Sequence, residues 1–276
     1  MKRLKGLLLG LSLLGFLGSA TAQEAIPQPP KVLTILREFV KPGRAGTMHE
    51  KSESAFVKAF TDAKWPEHYL AVDSMSGKPR TLFLVGYDSF EAWEKDNQAT
   101  MKNPALSEAL ERAALADSDL LTSVDSGTFR YRDDYSLRAG TVDIAQMRYF
   151  EISAFRVRPG HEKDWDDLVK LVMTAYEKIP DAHWATFQGV YGADDGTYLV
   201  FTPMKSLAET DREQAEGKQF ESAMGPEGMK KLGELAAAAI ESSQTNLFMF
   251  NPRESYPPDR WVAADPTFWK PKPATR

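Results

Sequence analysis

The stretch Phe155–Leu168, FRVRPGHEKDWDDL, decides how this chain is read, because a near-copy, FVKPGRAGTMHE, occupies Phe39–Glu50. Each copy runs from an aromatic residue through a basic one into Pro-Gly, then into a charged segment with helical spacing. Pro-Gly ends a strand, and the apolar positions that follow recur at three and four residues, the period of a helix. Outward from Gly43 and Gly160, the same order of elements is expected twice, 117 residues apart.

In the first half, VLTILREFV suits a strand and TMHEKSESAFVKAF a helix. His68–Tyr87 reads as two strands joined by a Ser-Gly-Lys-Pro turn. Ser89–Ala116 is helical with a break before Pro104, and SGTFRYRDDYS is a closing strand. In the second half, MRYFEISAFRV is the strand, and Trp165, Leu168, Val172, Ala175, Tyr176 and Ile179 form one apolar helical stripe. TFQGVYGADDGTYLVFTP is a hairpin with Asp195-Gly196 in its turn. SLAETDREQ matches SFEAWEKDN, a long helix through LGELAAAAIES follows, and NLFMFNP matches TFRYRDD.

Each half is thus strand-helix-strand-strand-helix-strand, the ferredoxin-like order. TLFLVGY and TYLVFT are apolar on both alternating faces, so both faces of each sheet need cover. The other half's sheet is the nearest cover. The expected fold is α+β: two ferredoxin-like βαββαβ repeats packed as an intramolecular dimeric α+β barrel, a monomer with an internal pseudo-dimer. Exposed edge strands would allow further assembly.

Residues 1–22 read as a signal peptide, with Lys2, Arg3 and Lys5 ahead of an apolar run from Leu7 to Leu17 and a small-residue site at Ala20-Thr21-Ala22. The expected mature start is Gln23, and the expected location periplasmic or secreted. Residues 23–31 form a Pro-rich linker, 32–136 the first repeat, 137–145 a second linker, 146–256 the second repeat and 257–276 a Pro/aromatic tail. Tyr256, Trp261, Phe268 and Trp269 suit that tail for docking on the body.

The chain has no cysteine, which removes disulfides, thiolate nucleophiles and Cys-ligated metals. Loss of the three leader cations takes the formal net charge from −5 to −8. An acidic chain without a basic stripe argues against nucleic acid and anionic membranes as partners. Gly-x-Ser-x-Gly and the glycine-rich nucleotide loops are absent. His49, His68, His161 and His183 are not at ligand spacing from one another, and the acids beside His161 suit the positive end of a helix. No metal site and no cofactor are expected. Lys64-Trp65 and His183-Trp184 stand in matching places before the second strand of each half, with the tryptophans as packing anchors.

Polar residues on otherwise apolar strands remain as candidates to line a cavity: Arg37, Glu38, His68, Tyr87, Tyr149, Glu151, His183 and Trp184. His183 makes the second half the better place for a site.

The strand–V(K/R)PG–amphipathic helix pattern resembles the dimeric α+β barrel superfamily over residues 32–136 and 146–256, and YFEI…FRVRPGH is most similar to NIPSNAP-type domains within it. That superfamily includes cofactor-free monooxygenases, haem enzymes and members without assigned activity, so the resemblance implies a fold and not a reaction. Three readings follow: binding of a small apolar or aromatic molecule in a barrel cavity, a cofactor-free monooxygenase-like or haem-handling enzyme with His68 or His183 as haem ligand, and an interaction protein with a filled core.

Overall fold

The computed structural model describes residues 26–270. The leader and its cleavage site lie outside the described residues. The first half contributes β1 (Val32–Val40), α1 (Thr47–Ala63), β2 (Tyr69–Ser74), β3 (Arg80–Tyr87), α2 (Phe90–Met101), α3 (Pro104–Asp117) and β4 (Leu121–Tyr131). The second contributes β5 (Tyr149–Val157), α4 (Glu162–Tyr176), β6 (Ala185–Tyr191), β7 (Thr197–Met204), α5 (Ala208–Ala239) and β8 (Ile240–Phe250). Two short helices follow, α6 (Asp259–Ala264) and α7 (Pro266–Trp269).

The local chemistry explains the joints. Gly43 and Gly160 end the two Pro-Gly phrases at φ 78° and 84°, a region that favours glycine. Pro104 breaks the first helical stretch, and the Asn103 side chain caps α3 by accepting from the Leu106 N–H. Gly225, at φ 66° and ahead of Pro226, kinks α5. That helix stops earlier than LGELAAAAIES suggests, because Ile240 already pairs with Val157 in the sheet.

All eight strands close into one antiparallel barrel in the order β1-β3-β2-β8-β5-β7-β6-β4. Within each half the order is the same, and two seams join the halves: Val72 faces Phe250 across β2–β8, and Phe129 faces Gly189 across β4–β6. Cover for the sheets therefore comes from edge-to-edge closure. The expected exposed edge strands are absent among the described residues, because each outer strand of one half is hydrogen-bonded to the other half. Assembly through a free edge is accordingly ruled out for the barrel strands.

Leu33, Ile35, Phe129, Phe150, Phe187, Phe201, Phe248 and Phe250 meet inside the barrel. Their rings pack edge to face, Phe150 on Phe201 at 5.4 Å and Phe187 on Phe201 at 5.6 Å between centroids. Each buried phenyl contributes about 1.5–3 kcal/mol, so this layer is a major source of stability in a chain without disulfides. The described part of the tail docks as its aromatics suggest. Trp269 is buried, and its Nε1–H donates to the Ala145 carbonyl at 2.9 Å. Among the described residues no helix is long and apolar enough to cross a membrane.

Candidate functional site

An eight-stranded barrel is just wide enough to fill with side chains or to hold one small ligand. Here phenylalanines fill the interior while one mouth stays open. A cavity of about 450 Å³ there is lined by Leu33, Leu70, Phe150, Phe187 and Phe201 from the barrel, and by Pro27–Pro30, His68, His183 and Trp261 around the rim. Pro30 lies so close to Gly86 that an added Cβ would meet it at 2.7 Å. The described part of the expected linker, from Pro27 to Pro30, is therefore packed at this end against the barrel.

A second cavity, of about 540 Å³, lies between the outer face of the second half's sheet and helices α4 and α5. Its walls include Phe155, Trp165, Val172, Tyr176 and Trp184, with Glu151, Ser153 and Thr202 among the polar groups. β5 explains the division. Phe150 and Ile152 point into the barrel core, and the alternating Glu151, Ser153 and Phe155 line the helix side. The Trp165 Nε1–H is buried and has no hydrogen-bond partner. Burial pushes the Glu151 carboxyl above its ordinary range.

Of the sequence-expected residues, His68, His183 and Trp184 line the mouth, and Glu151, His183 and Trp184 line the second-half cavity. The other four line neither cavity. Arg37 is ion-paired with Asp125 on β4, and Tyr87 donates to Asp96 at 2.9 Å. Tyr149 sits half-buried between Met204 and Met249. Glu38 is buried on the helix side of β1, away from the lumen-facing Leu33 and Ile35.

The ladder corrects the pairing of the tryptophans. Leu70 faces Leu84, and Ala185 faces Phe201, so His68-Tyr69 occupies the place that His183-Trp184 has in the other half. Trp65 instead donates to Asp96 at 2.8 Å beneath α2. The two histidines differ in their bonding. The ring nitrogens of His183 face the Asp181 and Pro203 carbonyl oxygens at 2.7 and 2.9 Å, which leaves neither free to ligate a haem iron. The His68 ring packs at a tilt against Tyr256, 4.7 Å between centroids, with Nδ1 buried and unpartnered. Burial holds its pKa below the ordinary value.

Glu38 belongs to a cluster that the sequence does not announce. His49 and Glu53 on α1, Asp117 at the end of α3 and Glu254 beyond β8 surround it, all buried. His49 Nε2 lies 3.1 Å from Glu38, 3.9 Å from Glu53 and 4.0 Å from Asp117, while Nδ1 lies 3.1 Å from Glu254. Thr81 Oγ1 is 3.5 Å from Nδ1 and donates to Asp73. Burial opposes charge on the imidazole, but Glu254 and Glu38 outweigh it and push His49 up to about 11. Burial and the neighbouring carboxylates push Glu53 up to about 9 and, with His49 opposing, Glu254 up to about 7.

This cluster overturns the expectation that the chain carries no cofactor. Glu38, His49, Glu53 and Asp117 each offer a donor atom, all within 4.8 Å of one another, a set able to hold a metal ion. The one local trace in the sequence is the i,i+4 spacing of His49 and Glu53 on α1.

No family model matches the chain, and no curated protein matches it. Among solved structures it is similar to a proposed monooxygenase from Fusobacterium nucleatum, at 13% identity over 81% of this chain and 93% of that one, with a TM-score of 0.53. A proposed chlorite dismutase aligns at 10% identity over 82% and 96% of the two chains, with a TM-score of 0.49. A mutant chlorite dismutase from Candidatus Nitrospira defluvii aligns at 9% over 84% and 96%, with a TM-score of 0.48. The Fusobacterium structure shares the fold with this chain. The class defined is a mixed α+β fold built on an eight-stranded antiparallel barrel closed within one chain.

Proposed function

We propose that the protein binds a small, largely aromatic molecule carrying a hydrogen-bond acceptor, in the cavity between α4, α5 and the second half's sheet. The carrying observation is the Trp165 Nε1–H, buried without a partner in a wall otherwise built from Phe155, Val172, Tyr176 and Trp184. A buried donor left unpaired costs about 1–3 kcal/mol, which a ligand oxygen would recover after a small turn of the indole toward the cavity. Apolar walls with a few polar groups are the usual form of a small-molecule site. A second reading, oxygenation of that molecule as in a cofactor-free monooxygenase, draws on Glu151: a carboxyl with a raised pKa in such a wall suits a proton acceptor for a phenol.

With this reading go an exported, signal-cleaved monomer and a tandem NIPSNAP-like repeat, supported by the leader sequence and by the shared strand order of the halves. The test uses protein starting at Gln23 and a hydroxynaphthalene probe, followed by thermal shift and native mass spectrometry. Binding that Val172→Trp abolishes supports the site. Binding that survives Val172→Trp but is lost in Ala139→Trp moves it to the barrel mouth, and release of an oxygenated probe in air favours the enzyme.

A further inference from the structure

The cluster around His49 lies in the first half, between β1 and the helices α1 and α3, and lines neither cavity. We propose that it is a binding site for one divalent transition-metal ion of borderline character, such as Mn²⁺, Fe²⁺ or Zn²⁺. His49 Nε2 and carboxylate oxygens of Glu38, Glu53 and Asp117 supply the ligands, and Glu254 orients the imidazole.

Three observations carry this. The first is geometric. The donor atoms stand 3.1, 3.9 and 4.0 Å from Nε2. Ligands about 2.1 Å from a common ion lie roughly 3–4 Å from one another, so small side-chain movements complete the shell. The second is what lacks a partner. Both oxygens of Asp117 and Oε1 of Glu53 are buried without any hydrogen-bond partner, and Asp117 is 1% exposed. Buried carboxylate oxygens are ordinarily satisfied, and a bound cation would satisfy these.

The third is the ring behind the ligand. A metal-bound imidazole ordinarily donates its other N–H to a carboxylate, which fixes its tautomer and rotation. Glu254 Oε1 stands 3.1 Å from Nδ1 in that position. Thr81 Oγ1 and the Asn251 amide both donate to Asp73, so a further layer of hydrogen bonds surrounds the site. The donor set also sets the class of ion. Imidazole is a poor match for Mg²⁺ and Ca²⁺, and a site without thiolate is not selective for soft ions.

Because the ligands are closed off from solvent, the ion enters as the chain folds. Protein starting at Gln23 is refolded from guanidinium with Mn²⁺, Fe²⁺ or Zn²⁺, dialysed against metal-free buffer and analysed by elemental mass spectrometry, with Mn²⁺ also followed by electron paramagnetic resonance. The expected result is one ion retained per chain, and a Mn²⁺ signal distinct from that of the aqueous ion. Glu254→Gln is expected to lower affinity about 10–100-fold while one site remains; unchanged affinity removes Glu254 from it. The variant Glu38→Phe, His49→Trp, Glu53→Val, Asp117→Ala, Glu254→Tyr is expected to retain none. If it does not fold, Asp117→Asn, which keeps the shape, is expected to bind more weakly. Failure to retain any of the three ions, or equal retention by these variants, overturns the proposal.

Discussion

In the first half the ring of His49 lies between Glu38 and Glu254; in the second, the ring of Trp165 lies in the matching place, 5.4 Å from Phe155 and 5.0 Å from Tyr198. The ladders make the match explicit. Glu38 faces Thr81 across β1–β3, as Phe155 faces Tyr198 across β5–β7. Glu254 and Tyr135 each precede a serine that accepts from a backbone N–H of the second strand of a half, Ser255 from Ala71 and Ser136 from Thr186. One half has filled its helix–sheet interior with ionisable groups, and the other has aromatic groups beside an open cavity. Closure of the barrel depends on strands and turns, so the layer beneath the helices was free to take up two different chemistries.

The harshest way to break the comparison is His49→Ala. It leaves four buried carboxylates around an empty space, and removing one partner from such a group costs about 3–5 kcal/mol, read from denaturant unfolding. The five-residue exchange to the second half's residues is expected to recover most of that loss, since apolar replacement of buried charges is often neutral or stabilising. An exchange as unstable as His49→Ala would show that the two interiors are not interchangeable.

Trp165→Phe sharpens the other side. It removes the unpaired N–H together with some volume, so unfolding should shift by no more than about 1–2 kcal/mol, while affinity for the hydroxynaphthalene probe falls. Unchanged affinity would take the indole out of the recognition. Glu151→Gln reads the same cavity by pH. The native carboxyl is held above its unfolded value, so wild-type stability falls as pH rises from the ordinary carboxyl range, near 4.3, through the raised native value. The variant should therefore melt higher than wild type at pH 7, with the gain gone below about pH 4. A constant difference across that range would contradict the assigned shift.

The smallest effect is a control on the symmetry itself. Ser255→Ala and Ser136→Ala each remove a hydroxyl that accepts from the second strand and donates to a carbonyl, Asn251 or Arg132. Each should cost about 0.5–1.5 kcal/mol, and the two costs should agree. A clear inequality would mean that the two seams are not equally strained.

Much of the scaffold is legible because its signals are local. The Pro-Gly phrases, the Asp195-Gly196 turn and Pro104 each act within a few residues, and they locate strands and helix ends where the structure has them. Register is less local. Trp65 and Trp184 look equivalent by type, but α1 reaches β2 through Lys64–His68 while α4 reaches β6 through the longer Glu177–Trp184, which moves the match to Tyr69. The buried ionisable cluster is the least visible, since Glu38, His49 and Glu53, Asp117 and Glu254 come from four separate places in the chain and meet only after the helices dock. The second-half cavity was half-visible: Glu151, His183 and Trp184 stand out on the strands, whereas Trp165 reads as one more apolar residue of a helix stripe.

The two seams carry a practical consequence for how the chain can be cut. Residues 137–145 cross from one half to the other in short turns, with Leu137 and Ala145 buried and Thr141 exposed, on a barrel whose halves are already stitched along β2–β8 and β4–β6. Thr141 is the exposed point at which this connection can be cut. A protein split there, produced as two separate polypeptides, has two ladders along which to reassemble, and each fragment is an incomplete sheet until it meets the other. Such a pair would behave as a complementing reporter, each interior completed by one residue of the other piece, Glu254 beside His49 and Tyr135 beside Trp165.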